Sequence, residues 1–297
     1  MARQLLPAQR SRIHTVDVDT GADRVVFESE TVLYEAPNWT LDGSYLVVNG
    51  DGSLFRVDLA GGSPQLIAVH GVRGLNNDHV LDPDGEHVYV SADDGHIYRA
   101  SLAGGDATRV TSDDGRLHFL HGVSPDGSTL AYVGIEPGVA GTWGAGDIWT
   151  IPAVGGDSRA LTRDRFPDDG CEYSPDGRWV YFNSERAASV RGHAQLFRMR
   201  PDGRDIRQLT HDERVNWFPH VSPDGERVAY ISFPPGTEGH PADRECVIRV
   251  CGAEGDNALD LVWISGGQGS LNVPSWSPDS RSIAYVDYPV ADHPIAD

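Results

Sequence analysis

Histidine, glutamate, aspartate and arginine hold metal ions, move protons and grip carboxylates. In this 297-residue chain several of them recur at matching places before a repeated turn. In "NWFPHVSPDGERVAY" (Asn216 to Tyr230), His220 stands four residues before the turn residue Asp224. The same place before the other turns holds Asn38, Val80, Gly122, Glu172 and Ser275, and one residue earlier stand His79 and His121. Strand positions that fill a core should be apolar, and this set is largely polar. Histidines beside Glu172 suit a metal ion or a proton-transfer site. His193 and Gln195 ("GHAQ"), His240 ("GHPAD"), Asp168 and Asp169 ("PDDG") and Arg186 ("NSER") are expected around them, with Trp217, Phe218 and Trp143 as aromatic walls. Aromatic faces beside Asp, Asn and Arg fit a sugar. The plainer alternative is a wet channel lined by polar side chains without chemistry. His14, His87, His96 and His211 fall elsewhere and are given no role.

The elements that position these residues are repeats. The turns are "TLDG", "DPDG", three "SPDG" and "SPDS", with turn aspartates at 42, 84, 126, 176, 224 and 279. Repeats of roughly 40–50 residues with four strands each are propeller blades. The strand before each turn is innermost, and strands such as "TLAYVG", "WVYFNS" and "RVAYIS" follow it. We therefore expect an all-β, six-bladed propeller forming one domain over residues 1–297. The expected blades span about 35–70, 78–113, 120–164, 170–212, 218–267, and 271–288 joined by 11–29. In the last, two N-terminal strands close on two C-terminal strands, leaving no open sheet edge. Residues 1–10 and the tail "VADHPIAD" are expected to fray.

Chain direction puts the short "PDG" turns on one plain face. The connections between second and third strands lie on the other. These grow long in blades three to five: "GIEPGVAGTWGAGD", "NSERAASVRGHAQ" and "SFPPGTEGHPADRE". Long loops on a rigid scaffold are where function concentrates, so the candidate residues are expected at that end of the channel.

The net charge is −20, part of it turn chemistry, since aspartate favours tight turns. It argues against nucleic acid and anionic membranes as partners. All 24 basic residues are arginine, which excludes a lysine Schiff base and Walker-type phosphate binding by lysine. Three cysteines without a CxxC pair suggest reduced thiols. No stretch of signal-peptide or membrane-span character is seen, and the expected location is cytoplasmic.

Blades written "EYSPDGRWVYFNSE" and "SWSPDSRSIAYVDY" resemble the TolB-like, WD-repeat-like propeller family over nearly the whole chain. That resemblance implies the fold, and it allows a non-catalytic protein-interaction scaffold, as TolB itself is. "FPHVSPDG" also looks like the manganese site of oligogalacturonate lyases, with His220 at a ligand position. Phe218 stands where that pattern wants a second histidine, and those lyases have seven blades. The lyase resemblance implies a uronate- or keto-sugar substrate. A divalent ion, manganese or calcium, would sit on His220, Glu172, His121 and Gln195. His220, His121 and His193 would be the catalytic imidazoles. Arg186, Arg191, Trp217, Asp169, Asn38, His79 and His240 would bind the sugar. The expected function is thus a carbohydrate-binding or carbohydrate-processing propeller, with the protein-interaction scaffold as the alternative.

Overall fold

A computed structural model describes residues 3–137 and 143–290. Six antiparallel blades stand around a channel. The innermost strands of the first five are Tyr34–Trp39, Leu75–Leu81, Leu117–Val123, Asp168–Tyr173 and Val215–Val221. Ser282–Asp287, Ser11–Asp17 and Asp23–Ser29 form the sixth, whose inner edge is reduced to a single bridge between Trp276 and Ile283. The ring is thus closed by strands from both ends of the chain. Among the described residues no helix is long and apolar enough to cross a membrane.

Each joint between blades has its own apolar core. Val47 and Leu54 meet Leu81 and Val88 at the first joint, and Ile13 and Val286 meet Leu46 and Val48 at the last. Large residues that alternate along a strand face the neighbouring sheet, which is why each blade must be apolar on both faces. The repeated turns are built by their aspartates. In one of them Asp126 Oδ1 accepts from the Ser124 and Ser128 hydroxyls (2.6 and 2.8 Å) and from the Ser128 amide (3.0 Å). These bonds, the Ser124 hydroxyl first, hold its carboxyl down at about 2.

The closing blade has a charged clasp. His14 Nδ1 meets Asp23 at 3.1 Å, its Nε2 meets Asp287 at 3.2 Å, and its ring stacks on Tyr285. Arg12 joins Asp287 from the same strand. Burial disfavours the charged ring, but the two carboxylate hydrogen bonds outweigh it and raise its pKa above the ordinary 6.5, while both aspartates are lowered below 3.8. The aspartate contribution is present above 3.8 and lost as pH falls; the histidine contribution is present below 6.5 and lost as pH rises through its folded value. His14→Gln should therefore lower stability most between those limits, by about 1–2 kcal/mol. The gap to the unmodified protein should narrow at higher pH, as read by thermal melts across a pH series.

Residues 3–10 do not fray as expected. Gln9 pairs with Val290, its side chain reaches Asp243 (2.6 Å) and the Tyr288 carbonyl (3.2 Å), and Arg3 is anchored on the loop-bearing face. The tail from 291 onward lies outside the described residues.

Candidate functional site

The residues four before each turn, His220 among them, join neighbouring blades. His220 Nδ1 bonds Glu172 Oε2 at 2.6 Å, and its Nε2 reaches the Leu271 carbonyl at 3.1 Å. The other oxygen of Glu172 accepts from the Val221 amide (2.8 Å), and the Trp276 indole donates to the His220 carbonyl (2.8 Å). Asn38 donates to the His79 carbonyl, and Ser275 to the Pro37 carbonyl. This layer spans the joints between blades four, five and six, between one and two, and between six and one. A buried polar group needs such partners, and here the partner is the next blade.

The site lies one layer nearer the loop-bearing face. In the first five blades a bulge interrupts the inner strand, so that extra residues stand opposite the second strand, as between Asp169 and Glu172 and between Trp217 and His220. A bulge re-aims side chains, and several residues five to seven places before the turns, Asp78, His121, Asp169 and Phe218 among them, line the mouth. The residues seven before are Glu35, Asn77, Phe119, Asp169, Trp217 and Asn272. The mouth holds a cleft of about 330 Å³. Its lining combines the carboxamides of Asn76, Asn77, Gln268 and Asn272 with the apolar side chains of Phe119, Val133, Ile135 and Phe218 and the titratable groups Asp78, His121, Asp169 and His240.

His121 Nε2 meets Asp169 Oδ1 at 3.0 Å, and His240 Nε2 stands 3.9 Å from Asp169 Oδ2. His121 stacks on Phe218, and His240 packs its ring against Phe218 and Trp217. Burial opposes charge on both members of the His121–Asp169 pair. Their mutual hydrogen bond outweighs it, so His121 is raised and Asp169 lowered, and Asp78 adds to the rise of His121. Asp78, only 5% exposed, is pushed up to about 6 by burial, with His121 pulling it down and Asp169 pushing it up. His240 is lowered, chiefly by burial. The same cleft thus favours the charged form of His121 and the neutral form of His240.

Backbone strain fixes the apolar wall. Phe218 has φ 54°, a left-handed conformation that a bulky residue rarely adopts, and strain of this kind collects at functional sites. Its amide donates to Asn183 Oδ1 at 3.0 Å. Gly170, at φ 62°, lies beneath it, where an added Cβ would come within 2.8 Å of Asn183 Oδ1 and 3.1 Å of Phe218 Cα. Gly170→Ala should therefore destabilise the protein by about 1–2 kcal/mol from the left-handed φ alone and displace Phe218. Chemical denaturation and the fluorescence of the adjoining Trp217 read the two effects.

The structure thus brings together His121, Asp169, His240 and Phe218 from the expected set, with Trp217 packed behind them, and disperses the others. His220 and Glu172 bond each other in the layer below, and Asn38 works at a blade joint. His79 is fully buried, with Nε2 on the Val47 carbonyl (3.2 Å) and its pKa pushed down to about 4 by burial. His193 bonds the Asp212 carbonyl, and Gln195 bonds the Ala194 and Arg214 carbonyls. Arg186 is held by both oxygens of Asp168, at 2.9 and 2.8 Å, and Arg191 is exposed on its loop. The side chain of Trp143 lies outside the described residues. The donor set His220, Glu172, His121 and Gln195 does not converge, and among the described residues no group of three or more His, Cys, Asp or Glu side chains could hold a metal ion. Asp78, Asn76, Asn77, Phe119, Gln268 and Asn272 were not anticipated. Counting seven residues back from each turn, instead of four, would have found three of them.

Residues 124–240 match the TolB beta propeller domain family. An uncharacterized protein of Agrobacterium fabrum is 37% identical over 95% of this chain and 93% of its own length. The chain belongs to the TolB-like β-propeller family. A solved structure from Agrobacterium tumefaciens, named "putative TolB", superposes on this TolB-like propeller with a TM-score of 0.87, at 36% identity over 97% of this chain and 99% of that one. TolB from Acinetobacter baumannii gives a TM-score of 0.64 at 18% identity, covering 87% of this chain and 64% of that one. A manganese-bound oligogalacturonate lyase gives 0.59 at 17% identity, over 89% and 75%. The last two are likenesses of fold alone.

Proposed function

We propose that this TolB-like propeller is a non-catalytic interaction protein that holds a polypeptide segment of a partner at the mouth of its channel. The observation that carries this reading is the mixed lining of the cleft, which combines four carboxamides with the apolar side chains of Phe119, Val133, Ile135 and Phe218. Carboxamides offer both donors and acceptors, as a peptide backbone does, and the apolar wall suits a side chain. Membership in the TolB-like family supports it, because TolB is an interaction propeller. Selection of random heptapeptides displayed on phage tests it. Enriched sequences should bind the purified protein saturably and at least tenfold more weakly after Gln268→Leu. Failure to enrich any sequence, or indifference to that change, would overturn the reading.

A second reading, sugar processing, is favoured by the His121–Asp169 pair, whose imidazole is pushed towards its charged form, beside His240, which burial pushes towards its neutral form. There His240 would be the base and His121 the acid. Incubation with oligogalacturonate, followed by ultraviolet detection of unsaturated product, tests it; absence of product removes it in its lyase form.

A further inference from the structure

The cleft contains a nearly buried acid without an ion-pair contact among the described residues. Asp78 accepts a hydrogen bond from Asn76 at 3.0 Å. Among the described residues no arginine or histidine lies within 4.0 Å of its carboxylate, whereas in the same mouth Glu35 contacts the Arg3 guanidinium and Asp169 the His121 imidazole. Burying a carboxylate without a positive partner is unfavourable, and such a group facing a cavity marks a place for one.

The chain itself shows what this mouth accepts. The Arg3 guanidinium bonds Glu35 (3.2 Å), the Gln268 carbonyl (2.5 Å) and Asp243 (2.9 Å), and lies over the Tyr288 ring at 4.2 Å. That cage consists of two carboxylates, a carbonyl and an aromatic face. The cleft beside it repeats the inventory with Asp78 and Asp169 as carboxylates, amide oxygens of Asn77 and Gln268, and Phe218 as aromatic wall. The two are contiguous, since the Gln268 side chain also donates to Asn77 at 3.3 Å. Guanidinium is the cation suited to this combination, being planar, forked and willing to stack on aromatic rings.

Resting on the polypeptide-binding reading above, we propose that the bound segment presents an arginine, whose guanidinium enters the cleft between Asp78 and Asp169 as Arg3 does in the neighbouring cage. The net charge of −20 steers a basic segment towards the protein. Arginine binding also displaces protons. The groups facing the guanidinium are Asp78, Asp169, His121 and His240, with Glu35 and Arg3 alongside. Asp78 must ionise, from about 6, and His121 is favoured uncharged once a second cation arrives. Affinity should therefore fall as pH drops through about 6.

The test is titration of an enriched heptapeptide, of the same peptide with citrulline for arginine, and of Asp78→Asn protein. We expect enriched peptides to share an arginine. Citrulline should weaken binding at least tenfold at pH 7.5 and much less at pH 5, and Asp78→Asn should weaken the arginine peptide to a similar extent without lowering the melting temperature. Enriched peptides lacking arginine, or citrulline peptides bound equally well, would overturn the arginine proposal and leave the polypeptide reading standing. Failure to enrich any peptide would overturn both.

Discussion

His220→Ala destabilises the ring by about 3 kcal/mol and leaves peptide affinity within about twofold. The stability loss follows from the partner left behind. Glu172 is 7% exposed and keeps its Val221 amide bond but loses the 2.6 Å bond to the imidazole. Removing one member of a buried pair strands the other, which typically costs about 3–5 kcal/mol. The lower end applies because the Val221 amide still serves one oxygen. The Leu271 carbonyl also loses its donor, so the joints to blades four and six both loosen. A domain of this size should melt about 5–10 °C lower. Adding Glu172→Gln to His220→Ala should recover part of the loss, since a neutral amide is cheaper to bury unpaired than a carboxylate. Differential scanning calorimetry of the two single variants and the double variant reads this directly. If His220 were instead a ligand in an open site, its removal would leave the melting temperature unchanged.

Asp169→Asn has the opposite signature. It should weaken the selected peptide at least tenfold while changing stability less than His220→Ala does. Asp169 contacts both His121 and His240, and its carboxylate also accepts from the Gly170 N–H at Oδ1 (2.7 Å). An asparagine preserves that turn but removes the charge that holds the proton on His121. The imidazole pKa should then drop from its raised position, because burial, the largest opposing influence, is no longer outweighed by the Asp169 bond. Histidine ring proton shifts followed through a pH titration measure the drop. The pair contributes stability above 3.8, where Asp169 is ionised, and below 6.5, where His121 is charged; the contribution is lost as pH rises through the folded value of His121. The stability deficit of Asp169→Asn should accordingly be greatest in that window and shrink in mild alkali.

The fold was legible because the repeat is written in residues that make turns and joints. "SPDG" turns need their aspartate and glycine, and alternating apolar strands need neighbours on both faces. The site was legible only in part, since the bulges are not written in any one residue type. Ala36, Gly170 and Phe218 all adopt left-handed backbone at the same step of three blades, yet only Gly170 announces it. A frame of regular strands therefore placed the residues four before each turn in the mouth, when the bulge puts that place in the joint layer and turns earlier residues inward. His220 was singled out for being polar on a core strand. The reason is real, but it is a bond to Glu172 across a blade joint. Asp78 escaped notice because "NND" reads as loop, and Gln268 and Asn272 because the inner edge of the sixth blade is irregular.

The proposed ligand enters at the layer of Asp169 and not at that of His220. The measurement that decides it is equilibrium binding of one selected peptide to four proteins below their melting transitions: unmodified, Asp169→Asn, His220→Ala, and Val154→Glu on the plain face, where Val154 is 98% exposed. Only Asp169→Asn should lose affinity. Loss confined to His220→Ala, or to Val154→Glu, would contradict it.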